Sequence, residues 1–194
     1  MLFVFRFCSI LILSALAFAQ TAQTAESAPR SAITIHVSKS GLFSGFAHNH
    51  IVVAPITQAN VNPRNMTAEI TVSTKEMKVT DPEVSDKDRA EIQSTMLGPK
   101  VLDQEKYPEI HFRSTHIEPT TAEHYRVTGM LELHGAKREI TLEVTGNPEH
   151  YHGATKLKQS DFGIKPISLA GGSVKVKDEL DLEFDVYSST GGHN

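Results

Sequence analysis

The stretch Lys106 to Glu143, KYPEIHFRSTHIEPTTAEHYRVTGMLELHGAKREITLE, decides how this chain folds. It divides into three successive strands separated by turn residues. The first, Glu109 to Glu118, follows Tyr107 and Pro108, a place where proline costs nothing because a strand's first residue need not donate to the ladder. Pro119, Thr120 and Thr121 are expected to end it. The second, His124 to His134, sets Tyr125, Val127, Leu131 and Leu133 on one face against Arg126, Thr128, Glu132 and His134 on the other. A period of two is that of a half-buried strand. Gly135, Ala136 and Lys137 form the turn into a third strand, where Ile140, Leu142 and Val144 oppose Glu139, Thr141, Glu143 and Thr145. Adjacent two-faced strands with short connections imply an antiparallel meander over an apolar interior.

Further strands extend the pattern on both sides. Ala32 to Val37 alternates Ile33, Ile35 and Val37 with polar neighbours, and Met66 to Thr74 turns Ala68, Ile70 and Val72 inward. Leu42 to Ile56 is apolar on both faces, which calls for a cover outside the strand as well as a core within. The helical segment Asp86 to Leu97, with Ser85 and Asp88 in capping-box positions and Gly98, Pro99 as its stop, is the expected cover. Tyr151 to Ser160 and then Ser160 to Ile164 read as strand, with Gly163 marking a bulge or close backbone approach. Glu179 to Ser188 closes the chain with Leu180, Leu182, Phe184 and Val186 facing in. The expected fold is mainly β: a single antiparallel barrel of about eight strands with one short α-helix, a strand number at which a barrel fills itself or holds one small ligand.

The runs YPEIHFRS (from Tyr107) and YRVTGMLELHGAKREITLEV (from Tyr125), followed by SDFGI at Ser160 to Ile164, resemble the YceI-like family of bacterial secreted proteins. The resemblance covers about Ala32 to Ser188 and implies a lipocalin-like β-barrel that binds polyisoprenoids. Where that pattern has a Phe-rich approach after the helix, this chain has Leu97 to Asp103, so one pocket wall is expected to differ.

Met1 to Ala19 reads as a cleaved secretory signal: Arg6, an apolar run from Phe7 to Leu16, and Ala17, Phe18, Ala19 before Gln20. The apolar run is shorter than the roughly 20 residues of a spanning helix, so no membrane span is expected after cleavage. The expected destination is periplasmic or secreted. The single cysteine, Cys8, falls within that leader, which leaves no disulfide. Residues 20–31 form a polar, disordered lead-in, 32–188 the barrel domain and 189–194 a tail. A formal charge of −4 argues against nucleic acid, whose phosphates require a basic stripe.

The inward faces carry aliphatic and aromatic side chains with no paired carboxylates and no nucleophile. This is the lining an amphiphilic lipid would need, and no cofactor is called for. The same residues would equally serve a barrel filled by its own side chains, in a structural or interaction role. The residues expected to touch a ligand are Phe43, Phe46, His48, His50, Phe112, Leu131, Leu133, Phe162 and Phe184. His48 and His50 are the candidates for the lipid headgroup, since a histidine motif after Gly-Phe-Ala recurs among YceI-like sequences. Phe162, like Tyr107, also reads as packing at the barrel's mouth or corner.

An alternative is metal. His48 and His50 form one H-x-H pair and His150 and His152 another, and residues two apart on a strand project to one face. Four imidazoles could hold zinc or copper if the pairs met. The HNH triplet at His48 to His50 does not indicate a nuclease, because it sits in an apolar strand of an acidic chain. No Ser, His, Asp ordering and no phosphate-binding glycine loop precedes a helix, so the expectation is a binding protein and not an enzyme. A homodimer is left open.

Overall fold

The structure, a computed structural model, describes residues 29–40, 49–169 and 174–188. The expected leader, most of the lead-in, the tail, and Phe43, Phe46 and His48 lie outside the described residues.

Eight strands close into an antiparallel barrel. In chain order they are β1 (Ala32–Val37), β3 (His50–Asn62), β4 (Thr67–Ser73), β6 (Glu109–Thr121), β7 (His124–Leu133), β8 (Ala136–Asn147), β9 (His150–Lys158) and β12 (Glu179–Tyr187). Around the barrel the order is β1, β12, β9, β8, β7, β6, β4, β3, and β3 returns to β1 through the register Ala32 with Pro55 to Val37 with His50. β5 (Lys78–Val79) lies beside β3 at Val52 and Val53, and β2 (Lys39–Ser40), β10 (Ser168–Leu169) and β11 (Val174–Val176) form a small separate sheet. α1 spans Asp86–Leu97, and the Ser85 side chain caps it by accepting from the Asp88 backbone N–H.

The alternation in the sequence is realised inside the barrel. Val127 and Leu131 on β7, Val144 on β8 and Val186 on β12 are buried, while charged neighbours such as Arg126 and Glu143 pair on the outside at 2.9 Å. Where alternation fails, a bulge accounts for it. β6 shifts register between Ser114 and His116, which turns Ile117 inward after Ile110 and Phe112. A second shift between Pro119 and Thr121 lets β6 run through Pro119 to Thr121, past the expected end at Glu118, because a bulge relieves proline of its ladder bond.

Three local expectations are corrected. The turn between β7 and β8 is His134–Gly135, with φ of 51° and 75°, and not Gly135 to Lys137. Two successive left-handed residues match the right-handed twist of a hairpin. A Cβ on Gly135 would stand 2.6 Å from Tyr107 Cε1, and the Tyr107 and His134 rings lie 4.6 Å apart, so Tyr107 does pack a barrel corner. Ser160 to Ile164 is not strand. Gln159–Phe162 forms a 3₁₀ turn ended by Gly163 at φ 75°, held by Asp178 accepting from the Ser160 N–H and hydroxyl.

The third concerns α1. It packs across one end of the barrel and does not cover the outer face of β3. Its Ile92, Met96 and Leu97 rest on a core cluster that includes Val52, Ala54, Val72, Met77 and Val79. The Gln93 amide fixes this position by accepting from Val79 N–H at 2.8 Å and donating to Met77 O at 2.7 Å, which satisfies one backbone group of the short edge strand and one of the residue before it. The α1 end is called the near end below. The far end carries the β6–β7 and β8–β9 turns.

Candidate lipid-binding interior

The barrel encloses two apolar cavities stacked along its axis. The near cavity, about 470 Å³, is lined by residues such as Ile35, Val52, Val72, Ile110 and Leu133 from the wall, Ile92 and Met96 from α1, and Phe162 and Ile164 from the 3₁₀ segment. The far cavity, about 200 Å³, is more aromatic, with Phe112, Tyr125, Tyr151 and Phe184 among its walls. Ile33, Leu131, Leu157 and Leu182 border both.

Two glycines make room for the aromatic rings. A Cβ at Gly153 would lie 2.3 Å from Phe184 Cζ and 2.7 Å from Glu143 O, and one at Gly129 would lie 2.5 Å from Phe112 Cζ. Each ring therefore occupies the space that a side chain on the neighbouring strand would otherwise take. A glycine inside a regular strand is the signal for such a close approach, and that reasoning belonged at Gly129 and Gly153 and not at Gly163, which ends a 3₁₀ turn at φ 75° with nothing within 4 Å of where its Cβ would stand. Partial burial, with a smaller contribution from neighbouring Tyr125, raises the Tyr151 phenol above its ordinary 10.0.

Polar groups gather at the near end. His50, the first residue of β3, lines the near cavity and donates from Nδ1 to Asp81 Oδ2 at 2.6 Å. Asp81 is 2 % exposed, and its other oxygen accepts from the Ile51 N–H at 2.5 Å. A carboxylate can only accept here, so His50 carries its proton on Nδ1. Nε2 is left without a hydrogen-bond partner among the described residues. Arg89 of α1 braces the same loop by donating to Asp81 O and Val84 O. Lys158, Lys175, Asp88 and Glu91 also line the near cavity. The role of Asp81 escaped sequence reading, because Thr80, Asp81, Pro82 carries only the signature of a turn.

The six described ligand candidates face one interior. His50, Leu133 and Phe162 line the near cavity, Phe112 and Phe184 the far one, and Leu131 both. His50 is not brought together with His150 and His152, and His48 lies outside the described residues. His150 and His152 lie on the outer face at the far end, where both bond Asp185 Oδ1, at 2.7 and 3.1 Å, and His150 stacks on Tyr187 with 4.2 Å between ring centroids. His50 is inside the wall at the opposite end. Among the described residues no group of three or more His, Cys, Asp or Glu side chains is arranged to hold a metal ion.

The sequence profile of the YceI-like domain matches residues 25–187. This chain belongs to the YceI-like family. A UPF0312 protein of Pseudomonas putida strain W619 is 35 % identical over 95 residues, which are 44 % of this chain and 46 % of the relative. A UPF0312 protein of Pseudomonas syringae pv. syringae is 34 % identical over 94 residues, 43 % of this chain and 47 % of that one. The chain thus spans about half the length of the curated relatives it matches. Among solved structures, Burkholderia cenocepacia BcnA superposes with a TM-score of 0.58 at 19 % identity, covering 82 % of this chain and 96 % of BcnA. The Campylobacter jejuni YCEI protein gives 0.52 at 17 % identity, covering 70 % and 82 %. At such identities the structural likeness speaks for the fold, and it is a YceI-like barrel. Such barrels are generally binding proteins and not enzymes. Among the described residues, no helix is long and apolar enough to cross a membrane.

Proposed function

We propose that this YceI-like protein is a periplasmic or secreted carrier that holds an isoprenoid or similar amphiphilic lipid inside its barrel. The observation that carries the reading is the apolar interior running from the α1 end to the far aromatic end, with Lys, His, Asp and Glu side chains lining the α1 end and none lining the far cavity. A lipid tail in this interior leaves water, at about 0.8 kcal/mol per CH₂, so one isoprene unit contributes ~3 kcal/mol before ordering costs. The head stays at the near end, where His50 lines the cavity and, with Nδ1 held by Asp81, has its second ring nitrogen left for the ligand. Neutral, that nitrogen accepts from a hydroxyl; protonated, it donates to a carbonyl or an anionic oxygen.

Native mass spectrometry tests the reading. The protein is purified from its own host's periplasm or medium without detergent, and its mass is compared before and after organic extraction. Extra mass that is lost on extraction and matches a prenyl or acyl lipid supports the carrier. A bare polypeptide mass that stays bare after incubation with prenols and fatty acids contradicts it.

A further inference from the structure

The two cavities meet at a ring of aliphatic side chains. Ile33, Leu182 and Leu157 come from three neighbouring strands, β1, β12 and β9, and Leu131 comes from β7. In the closed order of eight strands β1 and β7 are four strands apart in either direction, so Ile33 and Leu131 approach from opposite walls. Both are core-facing residues, yet both border open space on either side of this level. Beyond them Phe112 and Phe184, laid over Gly129 and Gly153, narrow the far cavity to less than half the volume of the near one, 200 against 470 Å³.

Resting on the carrier reading, we infer that Ile33, Leu131, Leu157 and Leu182 form a collar that sets which tails the barrel accepts. A single flexible tail passes between opposite walls into the far cavity, and a ligand with two tails or a bulky end is confined to the near cavity. Tail length up to the collar is read by the near cavity. Any further length contributes only if it threads the collar. Headgroup recognition at His50 and length selection at the collar are then separate devices at separate levels of one barrel.

The test is a homologous series of saturated fatty acids, octanoate to stearate, titrated calorimetrically below their micellar concentrations into the full mature protein and two variants, Leu131→Phe and Ile33→Phe. The two substitutions fill the collar from opposite walls, and each projects into existing space, which limits overpacking. For the unaltered protein Kd is expected to fall by up to about fourfold per added methylene until the far cavity is filled. In either variant the fall should stop several carbons earlier, with Kd for the shortest binding members kept within about twofold. Retained binding of those short members also reports that the variant has folded. If both folded variants follow the unaltered protein along the whole series, or weaken every member equally, the collar is refuted while the carrier stands. If the unaltered protein binds no member of the series and no prenol, the carrier reading fails and the collar with it.

Discussion

At the near end of the barrel the wall breaks into two- and three-residue strands, a 3₁₀ turn and a helix none of whose residues is fully buried. At the far end long strands run on to tight turns over an aromatic lining. Side-chain hydrogen bonds to loops and edge backbone tie the near end together, among them Gln93 on the backbone around β5, Arg89 on the Asp81 loop, Asp81 on His50 and Ile51, and Asp178 on the 3₁₀ turn. At the far end apolar contact and regular ladders dominate. An opening lid or rim belongs where local stability is low, because access requires groups that part at small cost, and the sealed end belongs where packing is regular. On the carrier reading proposed above, the contrast favours the near end for the headgroup and for passage, and the far end for the tail.

The largest effect that would break this comparison is a charge at each end. Val127→Asp, at a position 6 % exposed in the far half, should destabilise the protein by several kcal/mol, since a carboxylate there has no partner and little water. Ile92→Asp on α1, which is only half-buried, should cost less than half as much. Urea denaturation of both variants measures the ratio, and equal losses would mean that the two ends are equally closed.

Next in size is the near-end anchor. Asp81→Ala leaves the Ile51 N–H and the His50 ring unpartnered and should cost about 2–3 kcal/mol. It should also loosen α1, because the same loop carries the carbonyl that Arg89 holds. Amide hydrogen exchange would show faster exchange in α1 and β5, with β7 and β8 unchanged. Uniform acceleration would deny the near end its separate stability.

Gly153→Ala sharpens the far end. Its methyl would meet the Phe184 ring, which can tilt, and the Glu143 carbonyl, which belongs to the β8–β9 ladder and cannot readily move. A loss of about 1–3 kcal/mol in thermal or urea unfolding is expected, with reduced affinity for long tails and unchanged affinity for short ones. A fully tolerated alanine would show that the ring is not fixed over the glycine.

The smallest effect lies on the outer wall. Burial acts to raise the Asp185 carboxyl, but hydrogen bonds from His150 and His152, and the charge on both rings, outweigh it and hold the group below its ordinary 3.8. A depressed folded value means that this stabilisation is complete above 3.8 and is lost as pH falls through the lower, folded value. Asp185 is 41 % exposed, so its contribution is below about 1 kcal/mol. The double variant His150→Ala, His152→Ala should lose that much stability at pH 5 beyond the pH-independent loss of the His150–Tyr187 stack, and the excess should vanish once the carboxyl is protonated, while lipid retention stays unchanged.

The wall of the barrel was legible because alternation is a local signal. Ile33 to Val37, Tyr125 to Leu133, Ile140 to Val144 and Leu180 to Val186 each disclose their inner face without knowledge of a neighbour. So did the capping box of α1, which begins and ends where its sequence says. The near end was not legible, because its contacts join residues distant in sequence. Nothing near Gln93 announces that its amide will bridge β5, and nothing near Asp81 announces His50. Where α1 docks therefore could not be read from its own residues. The bulge at Ser114 left a trace in the broken alternation from Phe112 to Ile117, and Gly129 and Gly153 left one as small residues within otherwise bulky strands. The site divides the same way: Phe112, Leu131, Leu133 and Phe184 follow from strand phase, whereas the partner that orients His50 does not.

The central claim is one of direction, head at the near end and tail at the far end. It is tested most directly by nuclear magnetic resonance of the isotope-labelled protein with a fatty acid that carries a nitroxide at its tail terminus. The account predicts that broadening is strongest at Tyr125, Val144 and Tyr151 and weak at His50 and α1. Strongest broadening at His50 and α1, or none within the barrel, would contradict it.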